Sequence, residues 1–109
     1  AIIGKWQYIN MYTNQNTRIE EVWEFTKSNN LYVYQKIYRG RTNELSQEIT
    51  MMGKYKVVWA VNKTIVKVTD LNEGIWNVNW HILKMNENAL MLYSNVNSNY
   101  LLKEFEKIK

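Results

Sequence analysis

The chain contains no cysteine and no proline, only four glycines and a single histidine. Without cysteine there can be no disulfide and no thiolate metal site. One histidine cannot build a multi-histidine metal centre, and no sequence context marks partners for a nucleophile–histidine–carboxylate triad. No apolar run approaches the roughly 20 residues needed to span a bilayer as a helix. With proline absent, turn-making falls to other residues.

What is abundant fits that gap. There are fifteen asparagines, which tolerate positive φ and supply turns. The aromatics are eight Tyr and five Trp against two Phe. Tyr and Trp pair a large apolar ring with a polar tip, which suits half-dry surfaces. Fourteen basic and ten acidic side chains give +4, spread along the chain. Nucleic-acid binders usually cluster their basic residues on one face. Lys36, Arg39 and Arg41 are the only local group, and solvated strand ends explain them better than a phosphate site does. With 109 residues, the chain fits one domain spanning 1–109.

Short β-type runs alternate with Asn-rich punctuation. Gly4–Tyr12, Ile19–Thr26, Leu31–Tyr38, Gln47–Met52, Lys54–Val61, Thr64–Thr69, Ile75–Met85 and Ala89–Ser94 read as strands. Asn14–Thr17, Ser28–Asn30, Gly40–Leu45, Asn62–Lys63, Asp70–Gly74, Asn86–Asn88 and Asn95–Asn99 read as turns or loops. Gly53 reads as a break. The cleanest period-two stretch predicts Tyr55, Val57, Trp59 and Val61 inward, with Lys54 and Lys56 outward. Residues 99–109 are ambiguous. Leu101, Phe105 and Ile108 recur at helical spacing and Ser98 could cap a helix, whereas a strand closes the topology. The strand is favoured. The expected fold is all-β: a small antiparallel up-and-down barrel of about eight to nine strands, since closure removes the exposed edges of so large a sheet.

Four features resemble the lipocalin-like domains of bacterial cell-envelope proteins. They are Gly4-Lys5-Trp6, Trp23-Glu24-Phe25 followed by Asn29-Asn30, Gly53-Lys54-Tyr55, and Ile82-Leu83 followed by Asn86 to Leu92. Phe105-Glu106-Lys107 stands where that family often has Phe-x-Arg. The resemblance implies that Trp6 packs at the closed end of the barrel beneath Lys107, and that Trp6→Ala costs several kcal/mol. It also implies an exported protein of the cell envelope or extracellular space. The chain opens on Ala1 rather than Met, which leaves room for a signal or lipid-anchor segment upstream.

Tyr8, Trp23, Tyr34, Tyr55 and Trp59 are the candidate barrel lining, suited to a small hydrophobic or amphipathic ligand. The same rings can simply fill the barrel, and in so short a chain filling is the stronger of the two readings. Glu20, Glu21 and Glu24 are the densest carboxylates. Glu20 and Glu24 fall on the face opposite Trp23 and Phe25, outside the barrel, which argues against paired-carboxylate chemistry. His81 reads as an exposed or rim histidine. Asn62-Lys63-Thr64 fits a glycosylation sequon, but its turn position explains it. No cofactor or metal is expected. The leading function is a non-catalytic binding protein. The alternative is a protein-interaction module, such as a surface-lipoprotein domain or protease inhibitor, acting through Tyr32, Tyr38 and the 39–46 loop. Single-stranded nucleic-acid binding is less favoured, and an enzyme least.

Overall fold

The computed structural model describes residues 2–12, 17–40, 44–71, 77–96 and 99–108. Its elements are β1 (Gly4–Tyr12), β2 (Thr17–Phe25), β3 (Asn30–Arg39), β4 (Glu44–Ala60), β5 (Lys63–Thr69), β6 (Asn79–Met85), β7 (Ala89–Val96) and β8 (Asn99–Lys107). Each strand pairs antiparallel with the next, and β8 returns to β1, giving a closed eight-stranded up-and-down barrel. The last segment is therefore a strand. The helical spacing of Leu101, Phe105 and Ile108 is outweighed by the ladder that β8 forms on β7, from Ala89↔Glu106 to Val96↔Asn99.

Alternation along each strand decides what lies inside. In β2 the buried residues are Glu21, Trp23 and Phe25; in β3 they begin with Leu31 and Val33. Across the ladders, Trp6, Trp23, Val33 and Met51 stand side by side as one inward row. Trp6, Trp23, Trp80, Phe25, Leu31, Met51, Leu90 and Leu92 are all fully buried. Two irregularities reset the alternation. Ser46 is the extra residue where β3 and β4 shift register, and Leu83 is the extra residue between β6 and β7.

Asparagine makes the tight turns. Asn29 (φ 64°) and Asn62 (φ 65°) sit in the left-handed region at the β2–β3 and β4–β5 turns, and Asp70 (φ 63°) does so after β5. At the β6–β7 turn, Asn86 Oδ1 accepts from the backbone N–H of Asn88 and of Ala89, both at 2.8 Å.

Three expectations are corrected. Gly53 does not end a strand: Glu44–Ala60 is one 17-residue strand, so there are eight strands rather than nine. Its first half pairs with β3, its second half with β5, and Lys54 pairs with both. A Cβ at Gly53 would lie 2.6 Å from the Thr69 carbonyl oxygen and 2.8 Å from the Leu71 nitrogen. The glycine is there because another backbone crosses it closely. Second, β6 begins at Asn79 rather than at residue 75. Ahead of it, the Asn77 side chain pairs with the backbone of Leu71, donating to its carbonyl and accepting from its N–H. An Asn that satisfies a loop backbone in this way competes with ladder formation. Third, β2 and β4 begin earlier than expected, at Thr17 and Glu44. Residues 13–16, 41–43, 72–76 and 97–98, which include the expected loop residues Arg41 and Ser98 and the expected strand residues Ile75 and Trp76, lie outside the described residues.

Candidate functional site

The barrel axis is occupied by side chains. Trp23 is central: its ring lies 5.2 Å from Phe105, 5.4 Å from Trp80 in an edge-on contact and 6.1 Å from Phe25. Tyr8 packs on Phe105 at 5.9 Å. Of the expected lining residues, Tyr8 and Trp23 thus belong to the packed interior and fill it.

One end of this interior is closed by a polar plug. Glu21 follows the inward parity of Trp23 and is 2 % exposed. Its Oε2 accepts from Trp23 Nε1 at 2.7 Å and from Lys103 Nζ at 3.0 Å, while its Oε1 accepts from Gln35 Nε2 at 2.9 Å. Lys103 also stands 4.9 Å from the centroid of Tyr8. A buried carboxylate is tolerated when it is paired and its lone pairs are used, and both conditions hold here. The plug is structural in its chemistry, since both carboxylate oxygens are already engaged.

Near the opposite end, which is the open one rather than the closed end expected for it, Trp6 is fully buried and donates from Nε1 to the Ile2 carbonyl at 2.8 Å. Lys107 Nζ lies 4.5 Å from the Trp6 ring centroid and donates to the Ile3 carbonyl at 2.7 Å. Gly4 (φ 132°) leaves the space that this ammonium occupies, because a Cβ there would collide with Lys107.

Beyond Trp6 and Lys107 the barrel opens into a groove of about 560 Å³. Ile2, Ile3, Tyr55, Val57, Trp59 and Ile82 supply most of its apolar wall, with Asn29, Lys56 and Thr64 as polar edges. Tyr55 is its floor. Its hydroxyl donates to the Thr26 carbonyl at 2.7 Å and its ring meets Phe25 edge-on at 4.9 Å. Burial pushes the Tyr55 phenol up from its ordinary value.

The structure therefore brings Tyr55 and Trp59 together at the mouth and separates them from the rest. Trp59 is not inside: it is 76 % exposed, and Val61 is 88 % exposed. The β4–β5 hairpin keeps its alternation but runs past the barrel rim, so inward parity there points over the mouth. Tyr34 is also misplaced by the sequence reading. It pairs with Val22 on the outer face, stacks on Tyr32 (6.3 Å, 13° between planes) and donates to Glu24 Oε1 at 3.0 Å. Burial, that hydrogen bond and the Glu24 charge raise its pKa. Tyr38 lies on the same outer face with Arg18 4.4 Å from its ring centroid.

Glu20 and Glu24 are on the outer face as expected, opposite Lys36 and Tyr32. His81 is half-buried on the outer face, its ring stacked on Tyr93 at 4.8 Å. The sequence reading missed the Glu21–Lys103–Gln35 plug. The signal was present in the parity of Glu21 with Trp23. Among the described residues, no group of three or more His, Asp or Glu is placed to hold a metal ion, and no helix is long and apolar enough to cross a membrane.

No protein-family model matches the chain, and no curated protein matches it in sequence. What this barrel does must be read from its own side chains.

Proposed function

We propose that this barrel is a non-catalytic binding protein that holds a small hydrophobic or amphipathic molecule in the groove at its mouth rather than along its axis. The groove carries the reading. Its volume of about 560 Å³ suits one small molecule, and its wall is apolar with a few polar groups at the edge. The packed axis argues against a deep ligand site. The resemblance to lipocalin-like envelope domains supports an exported protein of the cell envelope or extracellular space, a placement that cell fractionation tests.

The experiment is a titration with a neutral apolar fluorophore such as N-phenyl-1-naphthylamine. Saturable binding at one site is expected, weakened by Trp59→Ala and abolished by Thr64→Trp, which fills the groove. Equal binding by wild type and both variants would sink the proposal.

A second reading has its own support. The stacked Tyr32 and Tyr34, with Met52 57 % exposed opposite Tyr32, form an aromatic strip on the outer face of a filled barrel. Such a strip suits a protein-interaction module acting through Tyr32, Tyr38 and the adjoining 39–46 segment. Truncating Tyr32 and Tyr38 together should abolish capture of a protein partner while leaving fluorophore binding intact. Capture that survives the truncation removes this reading.

A further inference from the structure

A second concavity, about 590 Å³, lies on the outer face of β4 and β5 against the β2–β3 turn. Ser28, Asn29, Lys54, Lys56, Lys67 and Thr69 line it. Each of these side chains offers a hydrogen-bond donor, and none is a carboxylate.

The charge arrangement is unusual for this barrel. Lys56 stands directly opposite Lys67 in the β4–β5 ladder, and Lys54 is two residues away on the same face, opposite Thr69. Like charges directly opposite each other destabilise a sheet. The flanking residues on this face do not relieve them: Asn30 faces Lys54 from β3, and Asn79 faces Lys67 from β6. Two other lysines of the barrel do have acids across the ladder, whereas Lys84, Lys103 and Lys107 face Met91, Leu92 and Trp6. Lys5 faces Glu24, and Lys36 lies between Glu20 and Glu48. The ion pairs among the described residues, Arg18–Glu20 and Lys103–Glu21, do not involve Lys54, Lys56 or Lys67.

We infer that this groove is an anion site that takes a phosphoryl group. Three ammonium groups around one concavity suit a tetrahedral anion with several acceptor oxygens and more than one charge. A single carboxylate offers only two oxygens and one charge. Lysine serves as a point-charge phosphate ligand, and Ser28, Asn29 and Thr69 add neutral donors at the same wall. The repulsion between Lys56 and Lys67 is relieved when the anion is bound. The phosphoryl group can come from a free phosphate compound or from a lipid headgroup. Asn29, Tyr55 and Lys56 line both this groove and the mouth groove, so a headgroup here would leave its chain beside Trp59.

The test is a titration of the labelled protein with pyrophosphate at fixed ionic strength, followed by backbone amide shifts. Saturable shifts are expected at Ser28, Asn29, Lys56 and Lys67. Affinity should fall by about tenfold or more in Lys56→Glu/Lys67→Glu and stay unchanged in Lys36→Glu. Shifts spread evenly over the exposed lysines, or wild-type affinity in the double variant, would overturn the inference. Lys56→Thr provides a check on folding: without anion it should melt at the same or a higher temperature than wild type, yet bind pyrophosphate more weakly. A second arm uses short-chain phosphatidic acid. Binding tighter than that of pyrophosphate, with the excess lost in Trp59→Ala, identifies a lipid headgroup; equal binding identifies a free phosphate compound. Pyrophosphate has no tail, so this site stands even if the neutral fluorophore fails to bind the mouth.

Discussion

At the plugged end of the barrel, Lys103 lies 3.0 Å from a buried carboxylate whose other oxygen is held by Gln35. On the outer face beside the mouth, Lys56 faces Lys67 across the ladder, with Lys54 two residues away, Asn30 facing Lys54 and Asn79 facing Lys67. The first arrangement satisfies every charge within the protein and leaves nothing for a ligand. The second leaves cationic charge unneutralised beside an apolar groove. A protein that only needed to be stable would gain by placing an acid opposite Lys56. The difference between the ends separates what holds the barrel together from what is free to bind.

The comparison breaks most readily at the plugged end. Trp23→Ala removes the central ring and one of the hydrogen-bond donors to Glu21, and should cost about 3–5 kcal/mol of stability in urea unfolding. A loss below about 1 kcal/mol would mean the axis is not packed as described. Lys103→Met leaves Glu21 buried without its cation and should cost roughly 3 kcal/mol, since removing one partner strands the other. Adding Glu21→Gln to that variant removes the buried charge while keeping an acceptor for Trp23 Nε1, and should recover most of the loss. Two additive penalties would deny the coupling.

Smaller effects are expected nearer the mouth. Tyr55→Phe should cost about 1 kcal/mol for its hydrogen bond to Thr26. The same residue sets a pH dependence. Its folded pKa is raised above 10.0, so the folded state keeps the proton that the unfolded state loses. The stabilisation is fully present below pH 10 and is lost as pH rises through the folded value. Tyr55→Phe should flatten part of that alkaline decline, with Tyr34, also raised, supplying a further part. An identical decline in the variant would remove Tyr55 from the account. Smallest of all, Trp59→Ala should change stability by less than about 0.5 kcal/mol, because the ring is exposed. A large loss would show that Trp59 is a core residue and would blur the distinction between the two ends.

Much of the barrel was legible because strand periodicity is local. Asn29 and Asn62 marked their turns, and the inward row of Trp23 and Phe25 in β2 follows from alternation alone. Gly53 was misread because its reason is not local: the crossing backbone at Thr69 and Leu71 is nearby only in three dimensions. The candidate site was less legible for a related reason. Parity tells which face a side chain occupies but not how high along the barrel it sits. Tyr55 and Trp59 share a face, yet one is floor and the other rim. Tyr34 could be assigned only by deciding which face of a two-sided apolar strand turns inward, and that is settled across the ladder, where Val33 meets the buried Trp23 and Tyr34 meets Val22. Parity turned Glu21 inward with Trp23, but Lys103 lies 82 residues away, so nothing local in the sequence named it as the partner.

The ring of strands is closed by very little. β1 and β2 pair continuously from Gly4↔Phe25 to Tyr12↔Thr17, whereas among the described residues the β1–β8 ladder consists of Trp6↔Lys107 and Gln7↔Glu106, extended by one bond from the Ile108 N–H to the Lys5 carbonyl. That short seam joins positions about a hundred residues apart, so it has the largest loop-closure entropy of any ladder in the molecule, while the hairpins need only local closure. In kinetic terms this predicts that the hairpins zip early and independently and that the ring is completed last, with Lys107 coming to rest over Trp6. Opening the seam would return the molecule to a curved sheet without unzipping a single hairpin.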